Sequence, residues 1–111
     1  MNLTGMKLLG PQPNDRYCLM VTDADPAIYA LFDERELQGG GYTWQAITNS
    51  LLTLHMPHLK GQLSIDAEGD GMYVECETLA PLEALDDLLG RAMADHALLV
   101  EAMDHAGDDL E

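Results

Sequence analysis

The stretch QLSIDAEGDGMYVECE, residues 62–77, decides how the chain is to be read. Leu63 and Ile65 alternate with Gln62, Ser64 and Asp66, and Met72, Val74 and Cys76 alternate with Tyr73, Glu75 and Glu77. A period of two is that of a strand with one face buried. AEGDG at 67–71 between the two runs is a turn signal. The segment therefore predicts a β-hairpin with one apolar face and one acidic face.

Outward from this hairpin the period changes. Upstream, Thr43 is placed to cap a helix whose residues Trp44, Ile47, Leu51 and Leu54 recur at spacings of three and four. Pro57 should stop that helix near His55. Gly39-Gly40-Gly41 ends an earlier, shorter helix, which Asp25 and Pro26 open and on which Ile28, Leu31 and Phe32 share a face. Further upstream, the apolar run Leu3 to Leu9, the turn PQPND at 11–15 and YCLMVT at 17–22 suggest a first hairpin. Downstream, Pro81 opens a closing helix with Leu82, Leu85, Leu89, Ala92, His96, Leu99 and Met103 along one stripe. Gly90 is the expected place for a kink or split in it. Arg91, four residues from both Asp87 and Asp95, can pair with either. The final GDDLE is expected to fray. The expected order is ββ-αα-ββ-α, an α+β fold in which two β-hairpins form one antiparallel sheet with helices on one face. One domain, residues 1–111, accounts for the whole sequence.

Charge bounds the function. Twenty Asp and Glu oppose five Lys and Arg in 111 residues, a formal net charge of -15. That surplus repels nucleic acid and anionic lipid, and it speeds encounter with cationic surfaces. It also favours solubility whatever the function. The acids concentrate in the second hairpin and in residues 81–111, which hold nine acids against one Arg. The N-terminus has no apolar run of signal-peptide length and no window spans a membrane. A cytoplasmic protein with Cys18 and Cys76 reduced and buried is therefore expected. A bridge between them remains open if the protein is exported.

Catalytic groupings are missing. There is no nucleophile elbow and no cysteine beside a histidine in sequence. Carboxylate pairs are too abundant to mean anything, and only six aromatic residues are present to line a cleft. An enzyme is not expected, and no cofactor is implied. Asp66, Glu68, Asp70 and Gly71 with Glu77 nearly match a calcium loop, but such a loop needs flanking helices where this sequence alternates like strands. A calcium-binding module is one alternative, and a scaffold or homodimer that buries the His96 stripe is another. His55 and His58 resemble a metal pair, but Pro57 separates them and no third ligand stands out. That leaves surfaces. Asp66, Glu68, Asp70, Tyr73, Glu75 and Glu77 on the hairpin, and Asp86 and Asp87 on the closing helix, are the candidate partner-binding residues. An aromatic among acids suits a protein interface.

GGGYTW at 39–44, followed by an amphipathic helix, resembles immunity protein family fifty-one of bacterial polymorphic toxin systems. The stretch Ile65 to Tyr73, which reads IDAEGDGMY where that family has a short turn of the type D-x-E-x-G-x-Met-aromatic between two strands, and the closing Leu-rich, acidic helix resemble the same family. The resemblance covers residues 16–105. Gly39, Gly41, Tyr42 and Trp44 are its distinctive cluster, with Tyr42 and Trp44 read as core and turn residues before interface residues. Gly40 stands where a polar residue is expected. The resemblance implies a cytosolic antitoxin that binds and blocks a cognate secreted toxin domain, whose cationic cleft an acidic surface would fill.

Overall fold

The computed structural model describes residues 6–9, 17–21, 26–37, 39–69 and 71–107. Four strands, β1 (Met6–Leu9), β2 (Tyr17–Val21), β3 (Ser64–Glu68) and β4 (Gly71–Cys76), form one sheet in the order β1-β2-β4-β3, every neighbouring pair antiparallel. Among the described residues four α-helices accompany them: α1 (Pro26–Glu34), α2 (Gly41–His55), α3 (Leu79–Ala94) and α4 (His96–Ala106). The class is α+β. The element order departs from the expected one, because the closing helix is two helices, giving ββ-αα-ββ-αα.

The strand parity explains which side the helices cover. Leu19 lies opposite Val74 and Val21 opposite Met72, while Ile65 and Ala67 lie opposite the same two β4 residues from the other side. Opposed residues share a face, so these side chains form one apolar surface. Leu19, Val21, Met72 and Val74 are fully buried there. α2 lies over β3 and β4, and α3 lies over β1, β2 and β4. α4 packs on α2 and α3. The core between the layers takes Trp44, Ile47, Leu51 and Leu52 from α2, Leu82, Leu85, Leu88 and Leu89 from α3, and Leu99 and Met103 from α4.

The expectations for Thr43, Leu54 and Gly90 need correction. Thr43 does not cap α2. Gly40 holds the N-cap position, and Thr43, three residues inside, accepts a hydrogen bond from the Gly39 N–H at 3.2 Å. A buried hydroxyl reaching back satisfies a donor that the helix itself leaves unpaired. Leu54 is not core: it is 39% exposed, and Leu52 takes its place. The closing helix breaks at Asp95, not at Gly90. The Asp95 carboxylate accepts from the Ala97 N–H at 3.1 Å, so it caps α4 while its own N–H donates to the Arg91 carbonyl. A short acidic side chain that bonds its own backbone outcompetes the helical ladder, whereas glycine merely tolerates a break. Gly90 therefore stays inside α3.

α3 also starts earlier than expected, at Leu79 after Thr78, with Pro81 in its first turn, where no ladder N–H is needed. His96 becomes the first residue of α4 and is half-buried, not a stripe residue of one long helix. Two polar contacts reach α4 from elsewhere in the fold, one from Arg35 just past α1 and one from His55 of α2. Arg35 meets Asp104 at 2.8 Å and His55 meets Glu101 at 3.2 Å, and Arg91 takes part in neither. His105 Nδ1 of α4 sits 3.3 Å from the Ser50 hydroxyl of α2. The expected cap Asp25 and the turn PQPND lie outside the described residues.

Candidate partner-binding surface

The acidic hairpin is built by its register. Asp66 lies opposite Tyr73, Ser64 opposite Glu75 and Glu68 opposite Gly71, while Met20 and Cys18 of β2 lie opposite Tyr73 and Glu75 on the other side. All of these belong to the parity that points away from the helices. The outer face of the sheet therefore has Tyr73 between Asp66 and Met20, and Glu75 between Ser64 and Cys18. Asp66 and Glu68 are exposed, and Met20, Tyr73 and Glu75 are half-buried. Glu77 is exposed just past the end of β4, and Asp70 lies outside the described residues.

Asp86 and Asp87 do not join this group. They sit on α3, whose leucines lie on the opposite face of the sheet. Asp87 is exposed, whereas Asp86 is half-buried with its Oδ1 atom covered and without a hydrogen-bond partner among the described residues. Burial pushes the Asp86 carboxyl up from its ordinary value, and the negative charges of Asp87 and Glu83 push it the same way.

The two cysteines lie on adjacent strands but on opposite faces. Cys18 is opposite Glu75 on the outer parity and Cys76 is opposite Tyr17 on the inner one, so a bridge between them has no geometry. Burial raises the Cys18 thiol above its ordinary value and the adjacent Glu75 charge adds to this, with a backbone hydrogen bond at Val74 opposing. A thiol held protonated is a poor nucleophile.

The residues 66–77 do not have the flanks of a calcium loop. Strands β3 and β4 run directly into the turn, with two residues between them, and alternation sends Ala67 to the helix side between Asp66 and Glu68. Among the described residues, no group of three or more His, Cys, Asp or Glu side chains is arranged to hold a metal ion. His55 is engaged by Glu101, and His58 is exposed on a separate 3-10 turn, Pro57–Leu59.

The glycine cluster proves to be the support of the hairpin. Gly39 has φ of +79°, a left-handed conformation that favours glycine, and a Cβ there would also lie 3.1 Å from Phe32. A Cβ on Gly41 would lie 1.9 Å from the Gly71 carbonyl oxygen and 2.1 Å from that of Glu68. One on Gly40 would lie 2.2 Å from the Gly69 oxygen, which is why no polar side chain fits there. The start of α2 thus lies directly against the β3–β4 turn. Trp44 anchors this end in the core at 2% exposure, edge-on to Phe32 with ring centroids 5.5 Å apart. Tyr42 corrects the core reading, since it is 46% exposed.

One feature escaped the sequence reading. On the solvent side of α2, Tyr42, Gln45, Asn49 and Thr53 border a groove completed by Lys60 and His105. Their spacing of three and four was visible beside the apolar stripe, but polar residues at helical spacing are ordinarily just a solvated face.

No helix of the described residues is long and apolar enough to cross a membrane. A family model described as immunity protein 51 matches residues 7–108. No curated protein and no solved structure matches the chain.

Proposed function

The chain belongs to the immunity protein 51 family, and from that premise we propose that it binds a cognate bacterial toxin domain through the outer face of its sheet and so neutralises it. The carrying observation is the register that sets Tyr73 and Met20 among Asp66, Glu68 and Glu75 on a face no described helix covers. A half-buried aromatic supplies contact area at low entropic cost, and surrounding carboxylates supply selection for a basic partner. The net charge of -15 speeds the encounter and makes it sensitive to salt. In a cationic cleft that holds phosphates, Asp66 and Glu68 would take the places of the substrate's anionic groups. On this reading the protein acts by occupation and not by catalysis, in the cytoplasm that the toxin would otherwise damage.

The test is binding of the toxin domain encoded beside this chain. Wild type should bind it, with affinity falling as salt rises from 50 to 300 mM, roughly the range in which charge-steered association weakens. Tyr73→Ala should weaken binding by about 2 kcal/mol or more, as central aromatics do. Asp66→Lys with Glu68→Lys should slow association most at low salt. No binding by wild type, or equal binding by all three proteins, refutes the proposal.

A further inference from the structure

The groove beside α2 has a character opposite to the rest of the chain. It measures about 290 Å³, and its walls are a phenol, two amides, two hydroxyls, two alanine methyls, an imidazole and the Lys60 ammonium. No lining residue carries a carboxylate, although the chain has twenty acids. The polar groups are already held in place. Lys60 Nζ donates to Thr53 Oγ1 at 2.9 Å, and His105 Nδ1 lies 3.3 Å from Ser50 Oγ. An ammonium held at the mouth of a concave site lined by amide and hydroxyl donors matches a carboxylate.

One end of the groove lies near the hairpin turn. Gly41 lies against the Glu68 and Gly71 carbonyls, so the next residue, Tyr42, brings one end of the groove to the acidic turn. From Tyr42 to Thr53 the helix advances about 16 Å at its ordinary rise. A partner seated over this end of the molecule, with a footprint of ordinary size of about 800 Å² on each side, reaches the Tyr42 end of the groove and the adjoining turn residue Glu68 together.

We propose that this groove receives an Asp or Glu side chain of the toxin domain, which pairs with Lys60 while basic toxin groups meet Glu68 at the adjoining turn. The inference rests on the immunity reading and adds a contact of reversed sign. A surface of one sign attracts every cationic protein, but one positive socket within it fixes register and rejects partners that lack the matching acid.

Two arms test it. In the first, nitrogen-15 NMR follows a blocked hexapeptide with a central Glu, and the same peptide with Gln. The Glu peptide should shift the side-chain amides of Gln45 and Asn49, the Gln peptide should not, and Lys60→Met should abolish the shifts. Lys60 is exposed, so this variant keeps its fold, which an unchanged melting curve verifies. In the second arm, Lys60→Glu should bind the neighbouring toxin domain about tenfold or more weakly than wild type. Equal or absent shifts with the two peptides at millimolar concentration overturn the carboxylate assignment. If Lys60→Glu binds the toxin as tightly as wild type while Tyr73→Ala does not, the groove is outside the interface and the immunity reading stands. Should wild type shift with the Glu peptide yet bind no toxin, both the proposed function and the toxin as occupant fall.

Discussion

Replacing Gly41 with alanine should damage this fold more than any surface change of the same size. The added Cβ would stand 1.9 Å from the Gly71 oxygen and 2.1 Å from the Glu68 oxygen. Close carbon–oxygen approaches in sheets are about 3.3 Å, so the hairpin would have to retreat by about 1.4 Å, away from two oxygens at once. Both obstacles are backbone carbonyls, which cannot rotate aside as a flexible side chain does. Inserting a methyl group into a packed site ordinarily costs about 1–3 kcal/mol, and rigid obstacles place this one near 3. At an unfolding entropy of about 2.1 cal/mol/K per residue, each kcal/mol lowers the melting temperature by about 4 °C in a chain of this length. Gly41→Ala should therefore melt about 12 °C below wild type by circular dichroism. Gly61→Ala is the control. Nothing lies within 4 Å of a Cβ there, so it should be neutral or stabilise by up to about 1 kcal/mol. If Gly41→Ala melts within about 3 °C of wild type, the helix start does not press on the hairpin turn and the account of the glycine cluster is wrong.

Asp86→Asn should raise the melting temperature at pH 7. Its carboxyl holds its proton more tightly folded than unfolded, so ionisation at neutral pH costs stability; the variant's advantage should shrink with falling pH and vanish below the unfolded value of about 3.9. A constant difference across a pH series of melting curves would refute this. Asp95→Ala should cost about 1 kcal/mol, as lost caps do, and should speed hydrogen exchange at Ala97 and Leu98 in the first turn of α4.

The fold class was legible because period alone distinguishes residues 62–77 from residues 44–55. Alternation needs no tertiary knowledge when one face is buried and the other is not. The helix boundaries were less legible. Asp95 reads as one more acid on a solvated face until the backbone shows that its carboxylate points at Ala97. Gly90 reads as a breaker, yet it rests inside a helix whose neighbours Leu88 and Leu89 are buried. Buried leucines can hold a glycine in helical geometry because its propensity penalty is only about 1 kcal/mol. The acidic hairpin face could be drawn from sequence, but its distance from Asp86 and Asp87 could not. That depends on which sheet face α3 covers, and one sequence does not choose between two faces.

The glycine turn carried the family resemblance without carrying the candidate contacts, and the geometry accounts for this. Gly39, Gly40 and Gly41 are fixed by backbone conformation and by carbonyls within 2.2 Å of where a Cβ would stand. Such a constraint does not depend on the identity of any toxin. Asp66, Glu68 and Tyr73 point the other way from the same hairpin, the two acids exposed and Tyr73 half-buried. Their side chains can change without moving the turn, because their Cβ atoms alternate away from α2. The same local architecture thus holds a support that tolerates no added atom and a surface that tolerates many substitutions. Tyr42 is where they meet: its backbone belongs to the support, and its ring, 46% exposed, borders the Lys60 groove.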